Sequence, residues 1–150
     1  MLAGNVEGEA LQRLLPHSGS MCLIDQVIHC DETSIECLSE SHTKEDNPLR
    51  EGDRLSAIHA AEYAAQAMAL HGGLLAQRTG QRQPGGYLVS LRGVTLHASR
   101  LDTLGSTLVI QAKQLLADSG NMLYDFTVST DKMPVAEGRA AVIVHTEEIL

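Results

Sequence analysis

The 150-residue sequence has no Trp, one Phe and three Tyr. Large rings usually dominate buried area, so a core built by this chain must rest on aliphatic and small side chains. Basic residues are also few. Eleven Lys and Arg stand against nineteen Asp and Glu, a formal net charge of −8. That excludes a general grip on nucleic acid, which needs clustered cations along the phosphate backbone, but it leaves room for one small basic patch. No apolar run approaches the ~20 residues that cross a bilayer, and no charged segment followed by an apolar one marks a secretory signal. The expectation is a cytoplasmic protein with neither membrane nor nucleic acid as partner. There is no C-x-x-C pair, and Cys22, Cys30 and Cys37 are an odd number at unmatched spacing. Both a disulfide framework and a structural zinc site are disfavoured. Buried, reduced thiols are expected, with no metal and no cofactor.

The length fits a single domain over residues 1–150. Residues 7–15 read as a short helix with Leu11, Leu14 and Leu15 on one side, stopped by Pro16. Residues 21–30 and 34–42 read as strands. Residues 43–54 are polar and charged apart from Leu49 and form a long irregular connection, the kind of loop that often carries function. From Ser56 to Gln77 the chain has no Pro, one β-branched residue (Ile58) and a high Ala content, so a long helix is predicted with Ser56 as its N-cap. Gly72 and Gly73 should weaken its last turns. The helix is apolar on nearly every side, which predicts burial all round. Residues 86–99, 107–118, 122–130 and 135–146 are β-rich and separated by turns. One buried helix against an antiparallel sheet is an α+β layer arrangement. A sheet curled around one long helix is the hotdog architecture.

Leu14-Leu15-Pro16-His17 followed by Met21-Cys22-Leu23-Ile24-Asp25-Gln26-Val27 resembles the opening motif of the 3-hydroxyacyl-acyl carrier protein dehydratases, which are hotdog folds. Glu62-Tyr63-Ala64-Ala65-Gln66-Ala67 is similar to their helix signature. Gly105 and Val135-Ala136-Glu137-Gly138 lie near the family's later turn and last strand, so the likeness spans about residues 9–145. Asn47-Pro48, Gly52-Asp53-x-Leu55 and Glu62 together resemble the dehydratase-like proteins of aryl polyene clusters.

Dehydrating a 3-hydroxyacyl thioester removes an α-proton and expels the 3-hydroxyl, which needs a base, an acid and a donor for the thioester oxygen. The resemblance implies a loop histidine and a helix glutamate for the proton work, facing each other across a subunit interface, with the amide at the helix start on the thioester oxygen. Glu62 matches the helix acid. A carboxylate buried in an Ala-rich helix should hold its proton more tightly unless paired. Gln66, one turn on, would orient Glu62 or bind substrate. The loop histidine is missing. The position fourteen residues before Glu62 is Pro48, alignment on the family's first proline gives Asp46, and no histidine lies between Thr43 and Ile58. His42 and His59 bracket the gap as candidates, and Asn47 or Asp46 could hold a hydroxyl or water. Ser56-Ala57 replaces the family's Pro-Gly, with the Ala57 amide as the expected substrate donor. His17 reads as structural.

Three functions follow from the resemblance. The first is a dehydratase acting on acyl thioesters of acyl carrier protein or coenzyme A, in fatty acid or polyene biosynthesis. The second is a non-catalytic hotdog subunit paired with an active one, and the third is an acyl thioesterase. A homodimer or larger oligomer is expected, with a hetero-oligomer as the alternative. Lys44, Arg50, Arg54, Arg78 and Arg82 are the candidates for a carrier-binding patch.

Overall fold

The computed structural model describes residues 6–15, 22–80, 86–131 and 133–144, with backbone only for 86–89 and 144. The expected helix stop at Pro16, His17, the strand start at Met21, Arg82 and His145 lie outside the described residues. In chain order the elements are β1 (Val6–Glu7), α1 (Gly8–Gln12), β2 (Gln26–Cys30), β3 (Ser34–Ser39), α2 (Ala60–Arg78), β4 (Gly86–Leu96), β5 (Leu108–Asp118), β6 (Asn121–Ser129) and β7 (Pro134–Val144). The strands form one antiparallel sheet in the order β1-β2-β3-β5-β6-β7-β4. Helix α2 packs across β3, β5, β6 and β7. This is the expected hotdog α+β arrangement.

Alternation along the strands sets the two faces, because side chains change face at every residue. Ile35, Cys37, Leu108, Ile110, Ala112, Tyr124, Phe126, Val128, Ala136 and Ala140 turn toward α2 and are buried. The scarce aromatics are spent here: Tyr63 of α2, Tyr124 and Phe126 are each at most 1% exposed. The single Phe lies directly opposite Gly138. A Cβ at Gly138 would come within 3.0 Å of the Phe126 ring and of Val94, so glycine lets β7 approach the ring without displacing it.

Several boundaries differ from the sequence expectation. Regular pairing of β2 starts only at Gln26, β3 stops at Ser39, and Ser41–Thr43 form a 3-10 turn. Ser56 caps the 3-10 turn over Ala57–His59 that leads into α2, its Oγ accepting from the Ile58 N–H at 3.3 Å, whereas the N-cap position of α2 itself is His59, with no side-chain cap. The helix continues through Gly72-Gly73 to Arg78, and Gly80 follows at φ +74°, the left-handed conformation that suits glycine after a helix end.

The burial expected on every side of α2 is not what the single chain shows. Tyr63, Ala64, Ala67, Met68, Leu70, His71 and Leu74 face the sheet. Ile58 is 62% exposed, and Glu62, Ala61, Ala65, Ala69 and Gly72 on the same side are exposed or half-buried. Small apolar residues serve a core and a subunit surface equally well, so composition alone could not separate the two.

Candidate functional site

The two motifs behind the family resemblance meet in space. Gln66 Oε1 accepts from the Leu23 N–H at 2.8 Å, and the Leu23 carbonyl accepts from Ser39 Oγ and Ser41 Oγ. Asp25 Oδ2 accepts from the Glu40 N–H at 2.7 Å. The Leu23–Val27 motif is thus a clamp that ties the entry of β2 to α2 and to the end of β3. Gln66, expected to orient Glu62 or bind substrate, has its carbonyl oxygen engaged in this clamp.

Asn47 is a second clamp. It is 6% exposed. Its Nδ2 donates to the Ser41 carbonyl (2.9 Å) and to the Tyr63 hydroxyl (3.1 Å), while its Oδ1 accepts from the Leu49 N–H (2.8 Å). Tyr63 also bonds Ser41 Oγ at 2.8 Å. Burial raises the Tyr63 pKa, so the phenol stays protonated and can donate onward. The loop is polar and charged apart from Leu49, yet its Asn47 is pinned to the buried side of α2. Arg50 holds the same loop from outside, donating to the carbonyls of His42, Lys44 and Asp53. That guanidinium is therefore committed to the loop rather than free for a carrier. Arg78 pairs with Glu32 at 3.4 Å, whereas Lys44 and Arg54 stay exposed.

His42 is fully buried, with Nε2 at 3.0 Å from the Leu104 carbonyl. Burial lowers its pKa, leaving a neutral imidazole locked beneath the loop. The Ala57 amide, expected on the thioester oxygen, donates instead to the Ser99 carbonyl at 3.0 Å. Ser56 pairs with Arg100 in an isolated bridge. Arg100 in turn holds Asp102, whose Oδ1 accepts from the Leu55 N–H. The head of the long helix is thus fastened to residues 99–102 rather than left open.

The sequence candidates that do come together are His59 and Glu62. His59 Nδ1 lies 3.1 Å from Glu62 Oε1, as expected for residues three apart on a helix. Their side chains are 26% and 52% exposed, so the deep burial expected for Glu62 is not met within one chain. Glu62 and Tyr63 are adjacent but about 100° apart around the helix axis. That angle separates the buried Asn47–Tyr63 network from the half-exposed His59–Glu62 pair. A carboxylate that accepts the imidazole Nδ1–H fixes the tautomer and leaves Nε2 basic. Among the described residues His59 Nε2 makes no hydrogen bond. An acidic side chain in the first helical turn is also favourable to the helix dipole, so the pair stabilises the helix head as well.

Sequence reasoning passed over His71. It is fully buried, with Nε2 2.9 Å from the Asp31 carbonyl and Nδ1 2.7 Å from the Tyr124 hydroxyl, which also accepts from Gln114. Burial lowers the His71 pKa and pushes Tyr124 up to about 12. This network ties α2 to the β2–β3 turn and to β6. Its only sequence signal was a histidine on the Tyr63, Ala67, Leu70, Leu74 side of the helix. Among the described residues no group of His, Cys, Asp and Glu could hold a metal ion. The three thiols are free, with Cys30 and Cys37 buried. No helix of the described residues is long and apolar enough to cross a membrane.

A family model described as ApeP-like, ApeP dehydratase, matches residues 9–149. The chain belongs to the ApeP-like dehydratase family. Among solved structures it is similar to the dehydratase heterocomplex ApeI:P from Xenorhabdus doucetiae, at 25% identity and TM-score 0.82, with 91% of each chain covered. It is also similar in fold to smu.793 of Streptococcus mutans bound to acetyl CoA (16% identity, TM-score 0.63, 90% of this chain and 98% of that one). Zebra fish thioesterase superfamily member 2 is a further fold relative (13% identity, TM-score 0.63, 90% and 93% covered). At such identities the last two bear on fold alone. No curated protein matches by sequence. For this ApeP-like chain, the motifs at Leu23–Val27 and Glu62–Gln66 are the joint between sheet and helix.

Proposed function

We propose that this chain, as a single hotdog domain, is one half of a dehydratase assembly acting on 3-hydroxyacyl thioesters carried by acyl carrier protein in aryl polyene formation. In this reading His59 and Glu62 handle the protons. The observation that supports it is the 3.1 Å His59–Glu62 contact, half-exposed at the head of α2. With Glu62 on Nδ1, His59 Nε2 takes the α-proton from C2. The C3–O bond then breaks as the imidazolium returns that proton to the hydroxyl, so water leaves and an enoyl thioester remains.

A second hotdog subunit is needed because this one closes off two of its own candidate groups, the Ala57 amide and His42. The surface left for that subunit is specific. Strand β4 is the long edge of the sheet, unpaired on its outer side among the described residues. Leu91 and Leu96 lie opposite Ala140 and Ala136 on the helix-side face, yet are 41% and 43% exposed. Ile58, Ala61 and Ala65 of the α2 stripe are likewise exposed or half-buried, and apolar residues left open in this way are candidates for cover by a partner. A partner there would also desolvate Glu62.

The test supplies a 3-hydroxyacyl-carrier substrate to the purified chain, alone and with a second hotdog dehydratase subunit copurified with it. Enoyl product and free acid are followed together. Enoyl product in the complex, lost on Glu62→Gln and on His59→Asn, is the expected result. No enoyl product in either sample would overturn the reading, and free acid instead would replace it with a thioesterase. Enoyl product that survives both substitutions would remove the pair from the mechanism.

A further inference from the structure

The outer face of the sheet carries an unbalanced row of charge that ends at the β4 edge. Register places Lys113 of β5 opposite Asp125 of β6, Asp125 opposite Arg139 of β7, and Arg139 opposite Arg92 of β4. Residues directly opposite in an antiparallel sheet share a face. Arg139 donates to both oxygens of Asp125, at 2.8 and 3.3 Å. Lys113 and Arg139 therefore both flank Asp125, Glu36 of β3 lies diagonal to Lys113, and only Arg92 at the edge has no carboxylate opposite it. The nearest other outer-face carboxylate on β7, Glu137, is engaged by His97 at 3.1 Å. Arg92 is exposed, is the single charged residue of β4, and makes no ion pair or hydrogen bond among the described residues. Like charges directly opposite destabilise a strand pair, so within this chain Arg92 is a cost without a return.

The position of Arg92 gives that cost a meaning. Strand β4 spans eleven residues centred on Leu91. If a second copy paired along the whole edge about a two-fold axis, Arg92 would face Ser90 of the partner subunit and sit diagonal to Arg92 of the partner subunit. Diagonal neighbours lie about 7–8 Å apart. Two Arg92–Arg139 pairs would then crowd the seam with no added carboxylate. A different chain that set an Asp or Glu beside Arg92 would remove the imbalance. We infer that β4 selects its partner by charge: Arg92, backed by Arg139, disfavours a second copy of this chain and favours a different hotdog chain with a carboxylate on the outer face of its edge strand. Specificity of this kind needs a repulsive element against the wrong partner as well as an attraction to the right one. The inference rests on the reading that β4 is the joining edge, but not on the chemistry at Glu62.

The test needs only this chain. Wild-type protein and Arg92→Glu are mixed in equal amounts, allowed to exchange, and resolved by native mass spectrometry. Mixed pairs are expected about threefold above their statistical proportion to self-pairs. The excess should vanish near 0.5 M salt, where screening is nearly complete over ~4–5 Å. A statistical distribution, or a mixture that stays monomeric, would overturn the inference. Arg92→Ser gives an independent check, because it removes the repulsion without adding a charge. It should tighten self-association about twofold in sedimentation equilibrium, and unchanged association would also overturn the inference. Neither readout depends on turnover, so an inactive enzyme with charge-selected pairing would reject the dehydratase reading alone.

Discussion

Gly138→Ala tests the close approach of β7 to the one Phe of the chain. The added methyl would lie 3.0 Å from Phe126 Cζ and from Val94 Cγ2, and 3.1 Å from Phe126 Cε2. Real Cβ contacts are wider, so two neighbours must move. The backbone conformation at Gly138 is open to any residue, which leaves sterics as the sole penalty. Overpacking of a filled core costs about 1–3 kcal/mol. The smaller entropy of the unfolded Ala chain returns about 0.4–1 kcal/mol. Phe126 is 1% exposed, so it can give little, and the expected net loss is about 1–2 kcal/mol. For a chain of this size that lowers the melting temperature by roughly 3–6 °C. Thermal melts and urea titrations of Gly138→Ala, Phe126→Leu and the double variant check both the size and the cause. In the Leu background the methyl should cost markedly less, a coupling of at least about 0.5 kcal/mol. A Gly138→Ala protein as stable as wild type, or an equal cost in both backgrounds, would refute the packing argument.

Tyr63→Phe should lose about 1–2 kcal/mol and speed amide exchange at Leu49, because the hydroxyl joining Asn47 to Ser41 is gone; unchanged exchange there would count against the clamp. Stability should fall as pH drops from 7.5 to 5. The folded pKa values of His71 and His42 lie below the ordinary value, so the unfolded chain binds the extra protons in that window and is favoured by acid. Melting temperature against pH should be flatter for His71→Gln, and a wild-type profile that is flat over this range would refute the assignment. Thiol titration of the native protein should modify Cys22 first and leave Cys37 until unfolding, since burial pushes Cys37 further up than Cys22; simultaneous reaction of all three would contradict their placement.

The long helix was legible because Ser56 and an unbroken Ala-rich run are local signals, and the later strands because their alternation is local too. The place of β4 in the sheet was not legible. Its neighbour in the sheet is β7, some forty residues on, and nothing local records that it forms an edge. The site was read by matching positions, which located Glu62 and His59. Position says nothing about hydrogen-bond commitments, however. Asn47, Gln66 and the Ala57 amide all have the right chemistry for substrate, and each is engaged by a distant group (Tyr63, Leu23 and Ser99). His71 was invisible for the converse reason: its partners, Asp31 and Tyr124, lie forty and fifty-three residues away.

The poverty in aromatic residues has a practical side. With no Trp in the sequence, ultraviolet emission comes from three tyrosines. Tyr63 couples the loop to α2, and Tyr124 couples α2 to the sheet through His71. Tyr87 belongs to the edge strand β4. The unlabelled protein thus carries native fluorophores at the loop–helix and helix–sheet contacts and one in an edge strand, and a single engineered Trp could be excited selectively.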